Sequence, residues 1–506
     1  MGYHRAADRG HLPLVNVGRT AVTHKETHHR PELHFVPDSG ILDAPAGIVR
    51  DGHTWHLFHQ YRPDAGQPAR WGHSTSEETA FAWLDCDDVL APVGGELSLR
   101  AGSVAEGKDA LNLYFTSVTS VGTSVRLARY TDYADECIVS DDPSALDPDV
   151  VRFGEAVGAH TNYDRFRSPS VVPDWAKEDR EEGHDGWLML ALTGHSDAPM
   201  PVILDSPNGE SWTLLGPLSF DGDPGFEDGE VPATSPIPPV VSPRLVRLRD
   251  EVDREIYDVL FVTLEREGRD VSGYIVGRLD GTVFTVARGF QRVDYGHDFS
   301  RPRNTNTTTG TIPQERRYDR AVILGLLNGN GRGDDATKHP TWEAEDWANS
   351  LSLPRAVTLQ GGVLYQTPAE GLPDAVKLSN YARSWTGVLE VPAGSSVTVT
   401  LKDGSGDAAA VIRHTGEEIS LDRSMSKSFD NYFKDSAPAV AKLAEGDSDT
   451  LTVIQDGASV EVFVDGGLVA MSSRVYFEGG CSAIEISTEG EAIIEQSWNR
   501  KGTKLS

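Results

Sequence analysis

The sequence predicts an all-β protein, and three observations carry that prediction. Short runs rich in β-branched and aromatic residues recur along it, as in TWHLFHQY (54–61), LNLYFTSV (111–118), GWLMLALT (186–193), EIYDVLFVTL (255–264) and RAVILGLL (320–327). Each run is bounded by Gly, Pro, Asp or Asn. With 50 Gly and 29 Pro in 506 residues, turns are frequent. Runs with helical periodicity are scarce. Many short strands joined by turns suit a sandwich, a barrel or a propeller, and the pattern alone does not choose among them.

Along the chain, residues 1–30 read as an N-terminal extension and 31–366 as the strand-rich body. TPAEGLPDA (367–375) reads as a linker. From 373 to 506 the character changes: VLEVPAGSSVTVTLKDG and LTVIQDGASVEVFVDGGLVAMSSRVYF alternate apolar and polar residues. DG and GG turns join these strands at hairpin spacing. This region predicts a separate antiparallel sandwich. The acidic stretch Asp174–Asp185 reads as a solvated segment.

The formal net charge is -31. Such a surface repels phosphate backbones and anionic lipid, which argues against nucleic acid and membrane surfaces as partners. Neutral sugars are not excluded by it. No apolar run reaches about 18 residues, and the N-terminus lacks an apolar core of signal-peptide length. The three cysteines, Cys86, Cys137 and Cys481, are widely spaced and show no zinc pattern. The expectation is three separate thiols in a reducing, cytoplasmic setting.

RPELHFVPDSGILDAPAG (30–47) is the most informative stretch. It resembles the opening motif of glycoside hydrolase family 32, the β-fructosidases, which runs RPxYHFxPxxGWMNDPNG. Further segments resemble that family in the same order. They are TWHLFHQYRP (54–63), Trp71-Gly72-His73-Ser74, Gly102-Ser103, Arg167-Ser168-Pro169, Glu230-Val231-Pro232, Asp294-Tyr295-Gly296-His297-Asp298-Phe299, Leu351–Arg355, and the hairpin of VEVFVDGG with SRVYF. The resemblance implies a five-bladed β-propeller with a central funnel, followed by a C-terminal β-sandwich. It also implies a fructose-containing saccharide as ligand, with no cofactor and no metal. Self-association is left open.

Retaining glycosidases set two carboxyl groups about 5–5.5 Å apart across the scissile bond. One attacks the anomeric carbon and the other protonates the leaving oxygen. Carried over by resemblance, the acid is Glu230. The nucleophile's place is Ala44, which cannot attack, and the nearest carboxylate, Asp43, sits one residue early. The place of the acid that steadies the transition state is Ser168. The implied sugar-binding residues are Gln60, Trp71, Ser103, Arg167, Ser168 and Tyr295. Adjacent side chains of a strand point to opposite faces, so Asp43 would face away from the funnel unless a bulge re-aims it.

Simpler readings stand beside these. Glu230 lies in the acid-rich DGDPGFEDGEVP, where a solvated loop is the plain alternative. Asp221-x-Asp223-x-Gly225 breaks the calcium-loop pattern at its third ligand. Trp71 could be core, and Arg167 could pair with Asp43 or Glu230. Three functions follow as expectations. The first is a catalytically impaired or inactive relative, a pseudoenzyme that keeps a sugar-binding funnel. The second is an active hydrolase of β-fructosides with Glu230 as acid and Asp43 as displaced nucleophile. The third is a structural partner without a ligand.

Overall fold

The computed structural model describes residues 28–107, 110–134, 137–160, 162–174, 186–226, 240–266, 268–305, 308–309, 316–330, 334–444 and 449–503. Residues 1–27, the stretch 175–185, and Glu230 with its neighbours 227–239 lie outside the described residues.

Strands dominate, as the composition predicts. Between residues 40 and 368 they form five sheets, built mainly of chain-consecutive antiparallel neighbours. Each sheet has one strand that meets its counterparts in the neighbouring sheets: Gly40–Asp51, Glu96–Glu106, Arg167–Pro173, Val240–Arg249 and Phe299–Thr305. These five strands touch one another in that order, and the fifth returns to the first.

Five apolar layers fill the gaps between successive sheets. Phe58 and Trp71 meet Leu99 and Phe115; Tyr114 and Val125 meet Met189 and Val202. Leu190 and Ile203 meet Leu260 and Ile275; Val259 and Phe261 meet Ile323 and Val357. Leu324 and Leu326 meet Leu42 and Leu57, which closes the ring. Both faces of each sheet are therefore covered. This is why the strands read as continuous apolar runs: in GWLMLALT, Met189 and Ala191 enter one layer while Leu190 enters the next.

A short helix, Leu372–Leu378, follows the fifth sheet, with Gly371 in the left-handed region at its start. From Arg383 to Lys501, two five-stranded antiparallel sheets face each other. Val397, Val399 and Leu401 from one sheet pack against Trp385, Val453 and Val462 from the other. Their alternation with polar neighbours produces this sandwich.

A buried polar seam joins the sandwich to the ring. Arg355 reaches Glu461 and Asp294, each at 2.8 Å. His34 bridges Asp456 at 2.9 Å and Glu461 at 3.2 Å. Asp298 lies between Arg423 and Arg474. The DYGHDF segment thus builds the seam. Tyr295, expected at the sugar, packs instead against the sandwich core, and its N–H donates to the Ala470 carbonyl at 2.8 Å. Cys86 and Cys137 form a disulfide, so the expectation of separate thiols holds only for Cys481. That pairing removes the cysteine argument for a reducing compartment.

Candidate active site

The five ring-forming strands share a local irregularity. In four of them two residues face one on the neighbouring strand: 101–102 opposite Phe115, 168–169 opposite Ala191, 242–243 opposite Val262, and 301–302 opposite Gly325. In the first strand, Leu42 pairs with Tyr61 and Ala44 with Gln60, which leaves Asp43 as the extra residue. Each is a β-bulge, which bends its strand and re-aims a side chain. Ser168, Ser242 and Arg301 adopt positive φ of 54°, 52° and 49° at these bulges. Each precedes a proline, which has no N–H to give to the ladder.

The bulges surround a cavity of about 880 Å³. Its wall includes Asp43 and Ala44 from the first strand, Arg100 and Ala101 from the second, and Arg167 and Ser168 from the third. Val241 and Ser242 come from the fourth strand, and Arg301 and Arg303 from the fifth. Gln60, Arg62, Glu265, Asn328, Asp334 and Asp335 add to it.

Asp43 therefore faces the cavity. Arg62 holds its carboxylate through Nε at 3.1 Å and Nη2 at 3.0 Å, and the Gln60 amide donates to it at 3.3 Å. Burial raises the Asp43 pKa, opposed by Arg62 and Gln60. The oxygen of the same Gln60 amide accepts the Ala101 N–H at 2.6 Å, which fixes the amide's orientation. Arg167 lines the cavity and donates to the carbonyls of Gly194 at 2.6 Å and His195 at 3.1 Å. The partner of Asp43 is Arg62 and not Arg167.

Two expected sugar contacts lie elsewhere. Trp71 is 0% exposed, on the third strand of its sheet, and its indole N–H donates to the Arg100 carbonyl at 3.2 Å. It is core, because Leu99 and Phe115 of the next sheet cover it. The Ser103 hydroxyl accepts the Val171 N–H at 3.0 Å and ties two sheets together behind the cavity wall. Arg62, Arg301 and Arg303, with Arg244 behind them, were not foreseen. The repeated X-Pro on the ring strands (Ala44-Pro45, Ser168-Pro169, Ser242-Pro243, Arg301-Pro302) was the signal that could have located the wall.

Among the described residues, His414, Asp449 and Asp465 place ligand atoms within 4.8 Å of one another. His414 Nδ1 accepts the Gly416 N–H at 3.1 Å, which puts the ring proton on Nε2, the atom that faces Asp465. A protonated nitrogen cannot ligate, so this trio does not make a metal site.

The family model described as "Glycosyl hydrolases family 32 N-terminal domain" matches residues 34–368, and its C-terminal counterpart matches 384–499. The chain belongs to glycoside hydrolase family 32. Among curated family 32 relatives, the sucrose-6-phosphate hydrolase of Bacillus subtilis is 26% identical over 92% of both chains. A raffinose invertase of Escherichia coli is 24% identical over 92% of this chain and 93% of its own. The solved exo-inulinase of Aspergillus awamori superposes with a TM-score of 0.71 at 19% identity, over 93% of this chain and 97% of its own. That likeness extends the family 32 fold across both the ring and the sandwich.

Proposed function

We propose that this family 32 protein hydrolyses β-fructosides or related glycosides, with Asp43 supplying the nucleophilic carboxylate in place of Ala44. The observation that carries the reading is the bulge at Asp43, which turns this side chain into the cavity although it sits one residue early. Asp43 would attack the anomeric carbon while a second carboxyl group protonates the leaving oxygen. Glu230 holds that second role by sequence resemblance alone, since it lies outside the described residues. The five sheets are read as the blades of a five-bladed propeller. The ring of strand contacts and the five apolar layers support this.

One observation favours a second reading, an impaired enzyme that still binds sugar. Arg62 occupies both oxygens of Asp43, and Ser168 supplies a neutral hydroxyl where the family has an acid. A screen of sucrose, short fructans and aryl glycosides separates the two. Turnover that is abolished in both Asp43→Asn and Glu230→Gln supports the hydrolase. Saccharide binding without turnover supports the impaired reading.

A further inference from the structure

One carboxylate of the cavity wall is held in place from the sandwich. Asp334 lies between the strand Ala321–Leu327 and the short helix Pro340–Glu345, and it lines the cavity. Its Oδ1 is 2.7 Å from Nε2 of His339, a residue 2% exposed. Arg474 Nη1 approaches the same ring, at 2.9 Å from Nδ1 and 3.4 Å from Nε2. A guanidinium only donates, so the nearer nitrogen, Nδ1, accepts. The single proton of the neutral ring then sits on Nε2 and is donated to Asp334. Arg474 ends the sandwich strand Val469–Arg474. It is fixed in turn by Asp298, which accepts its Nη2 at 3.2 Å and its backbone N–H at 2.7 Å. Asp298, Arg474, His339 and Asp334 thus form one hydrogen-bonded chain from the buried seam to the cavity.

The seam itself does not need the last member of this chain. Asp298 already supplies Arg474 with a counter-charge. Asp334 meets only the neutral imidazole, and its side chain keeps 14% of its surface open. An ionised carboxylate accepts up to about four hydrogen bonds, so one from His339 leaves capacity for a ligand. Burial alone would raise the Asp334 pKa, but the His339 hydrogen bond and the Arg474 charge outweigh it and lower the pKa. The group is therefore an ionised acceptor at neutral pH. Ala336, two residues on, packs with Ile41, two residues before Asp43. The loop that carries Asp334 is thereby pressed against the strand that carries Asp43. Asp43 itself is engaged at both oxygens by Arg62.

We propose that Asp334 accepts hydrogen bonds from saccharide hydroxyls in this cavity, and that His339, held by Arg474, positions it. Hydroxyl donors bind a charged acceptor about twice as strongly as a neutral one. Asp334 is thus a specificity-determining contact supplied by the fifth sheet, and His339 and Arg474 are positioning residues. The sandwich takes part in substrate binding through them without reaching the cavity itself. This deepens the hydrolase reading by naming a contact in the same cavity, and it rests on that reading's choice of site.

The test is calorimetric titration of the full-length protein with 2,5-anhydro-D-mannitol, a locked furanose that has no glycosidic bond to break. Asp334→Asn, which can still accept from His339, should bind it at least about tenfold more weakly than the parent. Two derivatives, one lacking both primary hydroxyls and one lacking both secondary hydroxyls, locate the contact. One of them should lose about tenfold less affinity in Asp334→Asn than in the parent, because the hydroxyl that Asp334 accepts from is already gone. His339→Leu should reproduce the Asp334→Asn loss. His339→Gln, whose amide N–H takes the place of the Nε2 proton, should restore most of the affinity. Circular dichroism melts check that each variant folds. Unchanged affinity in folded Asp334→Asn overturns the proposal, as does an equal penalty for both derivatives in parent and variant. A parent that does not bind the furanose overturns it too. Equal losses in His339→Leu and His339→Gln overturn the positioning role, since His339 would then act only by packing. Turnover of sucrose is read separately. Asp334-dependent binding without hydrolysis sinks the hydrolase reading and leaves this one standing, whereas hydrolysis with an unchanged KM in Asp334→Asn does the reverse.

Discussion

Arg62 holds both carboxylate oxygens of Asp43, at 3.0 and 3.1 Å, from the strand directly alongside it. The contact exists only because Asp43 is the extra residue of a bulge. Were the strand regular, its alternation would send Asp43 to the opposite face and leave Arg62 without a counter-ion in the cavity wall. The displaced carboxylate and its arginine are therefore one arrangement. Burial raises the Asp43 pKa, and Arg62 opposes that rise.

Asp43→Asn should lower kcat by about 10⁴-fold or more, the scale of losing a covalent nucleophile. Arg62→Met should act differently. Without the guanidinium, the Asp43 pKa rises further, so the acid limb of the pH–rate profile should move to higher pH while activity persists above it. Steady-state rates across pH 4–8 on any hydrolysed fructoside check both. An acid limb that stays in place in Arg62→Met would separate Asp43 from the chemistry.

The all-β class and the sandwich were legible because they rest on local period-2 patterns, as at Val397, Val399 and Leu401. The bulges were not, because register is a pairing property. A single residue such as Asp43 carries no sign of which neighbour it will face until Gln60 and Tyr61 are set opposite it. Trp71 and Tyr295 were misplaced for a related reason. An aromatic residue reads the same whether it will line a pocket, lie under an adjacent sheet or join a domain seam. Arg244 and Arg303 were illegible because their shared acceptor, the Gly102 carbonyl, is 142 and 201 residues away in sequence.

Gly102 is constrained by close approach. A Cβ there would lie 2.0 Å from the Tyr114 carbonyl oxygen and 2.9 Å from Pro169. Backbone cannot yield as a side-chain tip can, so Gly102→Ala should destabilise by about 1–3 kcal/mol. It should also disturb both arginines that donate to this carbonyl. Denaturant unfolding of Gly102→Ala against the parent measures the destabilisation.

The Cys86–Cys137 bond closes a loop with a sequence separation of 51. Cross-linking a loop of this length restricts the unfolded chain, so Cys86→Ser should cost about 2–4 kcal/mol. A reductant should lower the melting temperature of the parent and leave that of Cys86→Ser unchanged. Equal melting of parent and variant under oxidising conditions would show that the bond contributes nothing to stability.

His34 makes the seam sensitive to alkali. Burial alone would lower its pKa, but hydrogen bonds and charge from Asp456 and Glu461 outweigh that and raise it to about 9. A group whose pKa is raised on folding stabilises the fold fully below its unfolded value, near 6.5, and loses that contribution as pH climbs through about 9. The shift corresponds to an order of about 3 kcal/mol. Urea midpoints should therefore hold steady up to about pH 6.5 and fall between pH 7 and 10. His34→Gln keeps part of the hydrogen bonding but carries no charge. It should start lower at pH 6, with most of that fall absent. If the parent and His34→Gln decline in parallel across this window, the alkaline loss arises at another group and the seam does not depend on the imidazolium.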